Sequence, residues 1–152
     1  GRRVTAIADN EVIFNDGAPV TDLLGNVISN RKGVRFNGSQ FYISEYSVGK
    51  RWTVNSERVT PNGRIIGIEF DLRVTDKERI TVPAGTFEAF RIEGQGWTQG
   101  NNDPDIVISV QRRYWVAAGV RSAIAWELVT TNMRNRRRSR MERHELVSYS
   151  QK

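Results

Sequence analysis

The sequence contains no cysteine. Disulfides, thiolate metal sites, cysteine nucleophiles and cysteine-ligated clusters are therefore excluded. Histidine is represented once, by His144. No apolar run approaches the ~20 residues that a membrane-spanning helix requires. No basic start followed by a 7–15-residue apolar stretch, the pattern of a signal peptide, occurs in the chain. No window of twelve or more residues carries a helical apolar stripe. There are no long repeats and no Pro/Ser-rich linker to mark a second domain.

What remains describes a water-soluble β globule. The 152 residues are 38% hydrophobic and 26% charged, with four Trp, six Phe and four Tyr to anchor a core. This length suits one domain, residues 1–152, able to bury roughly two thirds of its unfolded surface. The net charge of +6 is unevenly placed. Residues 134–143 hold six arginines and one acid, Glu142, for +5; the rest carries 17 basic and 16 acidic side chains.

The dominant period is two. From Arg64 to Thr75 the even positions read Ile66, Ile68, Phe70, Leu72 and Val74, while the odd ones are mostly polar. Alternate side chains of a strand face opposite ways, so this segment predicts a strand with one buried and one wet face. Further strands are predicted at Val4–Ala8, Glu11–Phe14, Val27–Asn30, Gln40–Glu45 and Arg51–Val59. The series continues with Arg79–Val82, Phe87–Trp97, Ile106–Val116, Val120–Thr130 and Arg140–Tyr149. Asp9-Asn10 reads as a tight hairpin, and Thr60-Pro61-Asn62-Gly63 as a β-turn feeding the Arg64 strand. Ala84–Phe87 allows one helical turn at most. Turn signals every ~8–12 residues predict an all-β fold: a single curled antiparallel sheet, half-barrel or open barrel of about 8–11 strands.

Three motifs add a resemblance. Val48-Gly49-Lys50-Arg51-Trp52, then Val82-Pro83-Ala84-Gly85-Thr86-Phe87-Glu88-Ala89-Phe90, then Tyr114-Trp115-Val116-Ala117-Ala118-Gly119-Val120 follow one another in order. Over roughly residues 40–130 this resembles a group of uncharacterised bacterial exported proteins, many of them lipoproteins. The pattern departs at Ala118, where the group usually has proline, and at Arg121, where it commonly has glycine. The resemblance implies a curled antiparallel sheet and a place in the bacterial periplasm or cell envelope. It is also distantly similar to half-barrel lipoprotein carriers, which hold acyl chains on a concave face.

Candidate chemistry is sparse. A Ser–His–acid arrangement needs partners that the sequence does not identify for His144, which reads as polar surface. Glu69 and Asp71 share one strand face about 6.5–7 Å apart, but the solvated side of an amphipathic strand explains both. Asn101-Asn102-Asp103-Pro104-Asp105 offers hard oxygens without the Gly and Glu of a calcium loop, and reads as a turn. Gly94–Gly100 is glycine-rich, but no helix follows to meet a phosphate; it reads as a loosened strand end. No catalytic residue, metal or cofactor is assigned.

Two binding surfaces are expected. The concave apolar face, represented by Ile66, Ile68, Phe70, Leu72, Phe90 and Trp126, suits a lipid or other hydrophobic small molecule. The stretch Asn132–Ser139 is predicted to be an exposed hairpin tip. Arg134, Arg136, Arg137, Arg138 and Arg140, in and beside it, suit an anionic membrane surface. Nucleic acid is disfavoured, since no aromatic RNA-binding motif, recognition helix or zinc finger is present. The expected function is a non-catalytic domain of the bacterial cell envelope binding a hydrophobic ligand. The alternatives are a structural or protein-interaction module of a larger envelope assembly, or anionic-surface binding through the arginines.

Overall fold

The computed structural model describes residues 1–100, 103–120 and 122–150. Among these, all regular structure is β, in eleven strands: β1 (Val4–Ala8), β2 (Glu11–Phe14), β3 (Val20–Asp22), β4 (Val27–Ser29), β5 (Arg35–Asn37), β6 (Arg51–Val59), β7 (Ile65–Val82), β8 (Gly85–Gln99), β9 (Val107–Val116), β10 (Ala125–Asn132) and β11 (Arg137–Glu145). Each strand lies beside the next in sequence order, in one antiparallel sheet that does not close into a barrel. The all-β expectation holds. Contacts divide the chain into two compact units. The first is Gly1–Ser44 with Val54–Glu69, and the second is Glu45–Thr53 with Phe70–Lys152.

In the first unit, short strands are joined by tight turns. Asp9 and Asn10 have φ of 52° and 63°, the left-handed pair that matches a two-residue hairpin to strand twist. Gly63 donates its N–H to the Thr60 carbonyl at 2.9 Å, closing the expected Thr60–Gly63 turn. Val20–Asp22 and Arg35–Asn37 are strands that their composition did not announce.

Gln40–Glu45, by contrast, is not a strand. The reason lies in Asn26, which is 3% exposed. Its carboxamide donates to the Tyr42 carbonyl at 2.8 Å and accepts from the Tyr42 N–H at 2.8 Å. One side chain thus imitates a strand partner and satisfies both backbone groups of Tyr42. Asp22 braces the clamp, its carboxylate accepting from Leu24 N, Asn26 N and Asn26 Nδ2. Gly38 is required nearby: its φ is +72°, and a Cβ there would lie 2.9 Å from the Asn55 carbonyl oxygen.

The second unit holds the long strands. The predicted strands Arg64–Thr75 and Arg79–Val82 are continuous in β7. Their polar junction stays extended because Arg91 ties it down. Arg91 Nε donates to Thr75 Oγ1 at 3.0 Å, and its guanidinium forks onto Glu78 at 3.2 and 3.3 Å. Glu78 also accepts from the indole N–H of Trp115 at 2.7 Å. Residues 84–87 form no helical turn; Pro83-Ala84 is the two-residue link from β7 to β8.

Gly94–Gln99 is not a loosened end. It pairs with β9 through Gln99↔Val107. Gly94 leaves room for the Leu72 side chain: a Cβ at 94 would lie 2.3 Å from Leu72 Cδ2 and 3.3 Å from Phe70 Cδ1. The expected strand at Val120–Thr130 begins only at Ala125, because Val120 closes a turn onto Ala117.

Two layers of side chains result. Register pairs the even positions of β8, β9 and β10 on one face, with Ile92 opposite Tyr114 and Tyr114 opposite Trp126. Phe70, Leu72, Val74, Ile92 and Tyr114 are buried there, each contributing roughly 1.5–3 kcal/mol by leaving water. A second cluster contains Val82, Ala89, Trp115, Ile124 and Ala125, with Phe87 and Leu146 against it. The segment after β11 is laced to it by Leu146, whose N–H donates to Ile124 O at 2.9 Å and whose carbonyl accepts from Ala84 N at 3.0 Å.

Candidate functional site

The apolar residues singled out from the sequence fall into both units. Ile66 and Ile68 belong to the first; Phe70, Leu72, Phe90 and Trp126 belong to the second. Ile66, Phe70 and Leu72 are 0, 4 and 2% exposed, so their apolar contacts are made with the protein itself. Ile68, Phe90 and Trp126 are half-buried. Phe70 and Leu72 come together over Gly94. Phe90 is stacked by Tyr46, with centroids 5.9 Å apart and planes at 23°, and Tyr46 meets Trp52 edge-on at 6.4 Å. Gly49 N donates to the Val74 carbonyl and Val74 N to the Lys50 carbonyl, both at 2.9 Å, which holds this covering segment in place. Trp126 stacks on His144 across β10 and β11, with centroids 4.1 Å apart and planes at 12°.

The arginine hairpin is built differently from its expected form. Asn132–Ser139 is not one loop: β10 runs to Asn132 and β11 begins at Arg137, leaving Met133–Arg136 as the connection. Two asparagines close it. Asn132 Oδ1 accepts from Arg134 N and Asn135 Oδ1 from Arg137 N, both at 2.9 Å. Arg137, Arg138 and Arg140 therefore sit on a strand. The register skips at Ser139, pairing Arg140 with Thr130 and Arg138 with Thr131. Successive strand positions alternate between faces, so the charges are spread over both sides of the ribbon and repel less than in a compact loop.

All five arginines are exposed. Arg134 lies 3.6 Å from Asp103, and Arg140 is paired with Glu142. Arg138 reaches only the Met141 sulfur, at 3.7 Å. The Arg136 and Arg137 side chains have no hydrogen bond or ion pair among the described residues.

A third feature, which the sequence reading missed, lies on the odd-numbered face of the second unit. Asp71, Arg73, Glu93, Gln95, Gln111 and Arg113 line an open trough of about 420 Å³. Its charges are largely paired. Arg113 Nε is 2.8 Å from Glu93, and Arg113 Nη1 is 3.7 Å from Glu127. Glu127 also pairs with Arg143. The Arg143 guanidinium is held above its usual pKa chiefly by its hydrogen bond to Glu145; burial opposes this, and Glu127 adds to it. Asp71 accepts from Thr53 Oγ1 at 3.0 Å. The signal for this face was present in the odd positions 91, 93, 95 and 111, 113, but only cross-strand register brings them together.

Glu69 and Asp71 are both exposed, and they belong to different units. In the Asp103–Asp105 turn, Asp105 N donates to Asp103 Oδ1 at 2.9 Å; Asn101 and Asn102, like Arg121, lie outside the described residues. No cluster of three or more metal-ligating side chains occurs among the described residues. Comparison with protein-family models, with curated proteins and with solved structures found no match.

Proposed function

We propose that this chain is a non-catalytic binding domain of the bacterial cell envelope that rests on acidic lipid headgroups through the β10–β11 hairpin. The observation that carries this reading is the pair Arg136 and Arg137, exposed, with side chains that have no partner among the described residues. They sit within a ribbon that supplies nearly all of the net charge. A guanidinium that has already found a carboxylate gains little from a phosphate; one that has not gains a forked, charge-assisted pair. Each arginine near an anionic leaflet contributes about 1 kcal/mol. Placement in the envelope is supported by the resemblance carried by residues 40–130.

Co-sedimentation with vesicles tests it. The protein is expected to bind vesicles containing a third acidic phospholipid at low salt and to ignore neutral ones. Arg136→Ser, Arg137→Ser and Arg138→Ser together should abolish that binding. Equal retention of the triple variant would remove the proposal.

A further inference from the structure

We propose that the trough on the odd-numbered face, with Trp97 at its shoulder, is a second binding site and takes a neutral glycan chain. Four observations carry this. The first is charge. Asp71, Glu93 and Glu127 are matched by Arg73, Arg113 and, at the trough's edge, Arg143, which pairs with Glu127, so the trough has no net sign with which to select an ion. Its arginine best placed to grip a carboxylate, Arg113, is already engaged by Glu93 and Glu127. A carboxylate that sought Arg113 would have to break those pairs.

The second is unused hydrogen-bonding capacity. Gln95 and Gln111 are direct cross-strand partners. Both are exposed, and neither side chain has a partner among the described residues. Each carboxamide offers two donors and an acceptor. Arg73, also exposed and without a partner among the described residues, adds a donor fork. Closely spaced groups that both give and accept suit vicinal hydroxyls, which do the same.

The third is Trp97, 44% exposed and two residues beyond Gln95 on the same face, about 6.5–7 Å along the strand. Its cross-strand partner is Ser109, too small to cover an indole. No stacking, cation–π or hydrogen-bond partner engages Trp97 among the described residues. An indole exposed over nearly half its surface beside polar groups offers an apolar plate and a wet edge together, which matches the C–H face and the hydroxyl rim of a pyranose ring. The fourth is form. About 420 Å³ falls within the range of small-ligand sites, and an open trough lets a chain enter and leave at its ends.

This site includes none of Arg136, Arg137 and Arg138, the residues replaced in the vesicle test, so the two proposals fail separately. Affinity electrophoresis against soluble neutral polysaccharides (dextran, mannan and hydroxyethyl cellulose) with alginate as the anionic control tests it. At least one neutral polymer is expected to retard the native chain. Trp97→Ala is expected to weaken that retardation at least tenfold, Trp97→Phe less, and Gln95→Ala with Gln111→Ala at least fivefold. The glutamine variant should keep the native thermal midpoint, because those side chains are exposed. The arginine triple-serine variant is expected to keep full retardation. The proposal is overturned if no neutral polymer retards the protein, if alginate alone does, or if the Trp97 and glutamine variants bind like the native chain.

Discussion

Asn26 shows how much a single side chain can decide in a protein of short strands. Its carboxamide donates to the Tyr42 carbonyl and accepts from the Tyr42 N–H, and it lies buried. Asn26→Ala removes both bonds, at about 1–3 kcal/mol for each group left unsatisfied. Thermal unfolding should show a loss of roughly 2–4 kcal/mol, with Asn26→Asp no better, since it removes the donor and sets a carboxylate beside Asp22. Gly94 makes the reciprocal point, that absence of a side chain can be the requirement. Gly94→Ala should cost about 1–3 kcal/mol through overpacking against Leu72. Combining it with Leu72→Ala should cost less than the sum of the single changes, because the two compete for one volume. Additive losses would show that Leu72 does not fill that space.

Turns and edges govern the elements. The β1–β2 hairpin depends on two left-handed residues, and Asn10 at φ 63° is the one that glycine would serve best. Asn10→Gly should raise stability by up to about 1 kcal/mol and Asn10→Ala should lower it by about 1 kcal/mol, read by denaturant unfolding. Edge strand β11 carries its own safeguard. Four arginines, two glutamates and a histidine among nine residues discourage another strand from pairing there. Edge strand β1 is apolar and uncharged, with Ile7 58% exposed.

Across the whole molecule, charge is distributed so that one ribbon provides the field and the remainder is nearly neutral. Vesicle binding should therefore fall steeply between low salt and 0.15 M, where charges more than about 8 Å apart are screened. A salt-independent partition coefficient would point instead to apolar insertion. Glycan retardation, resting on neutral groups, should barely respond to the same salt series.

The all-β class was legible because a two-residue alternation leaves only one backbone that can bury Phe70, Leu72 and Val74 together. The arginine cluster was equally plain, since six like charges in ten residues announce themselves in any fold. The limits of that ribbon were not, because Asn132 and Asn135 close the turn through hydrogen bonds that composition cannot rank. Nor was the fate of Gln40–Glu45, whose apolar character suits a strand but whose backbone found a side-chain partner sixteen residues away.

Local alternation by itself determined the class of fold and the apolar stripe of β7. Register between strands decided the rest: which alternate residues became neighbours, that Gln95 would face Gln111, and that Trp97 would stand opposite a serine. Pairing across a sheet joins positions far apart in the chain, and no pattern within one segment encodes which partner it will meet.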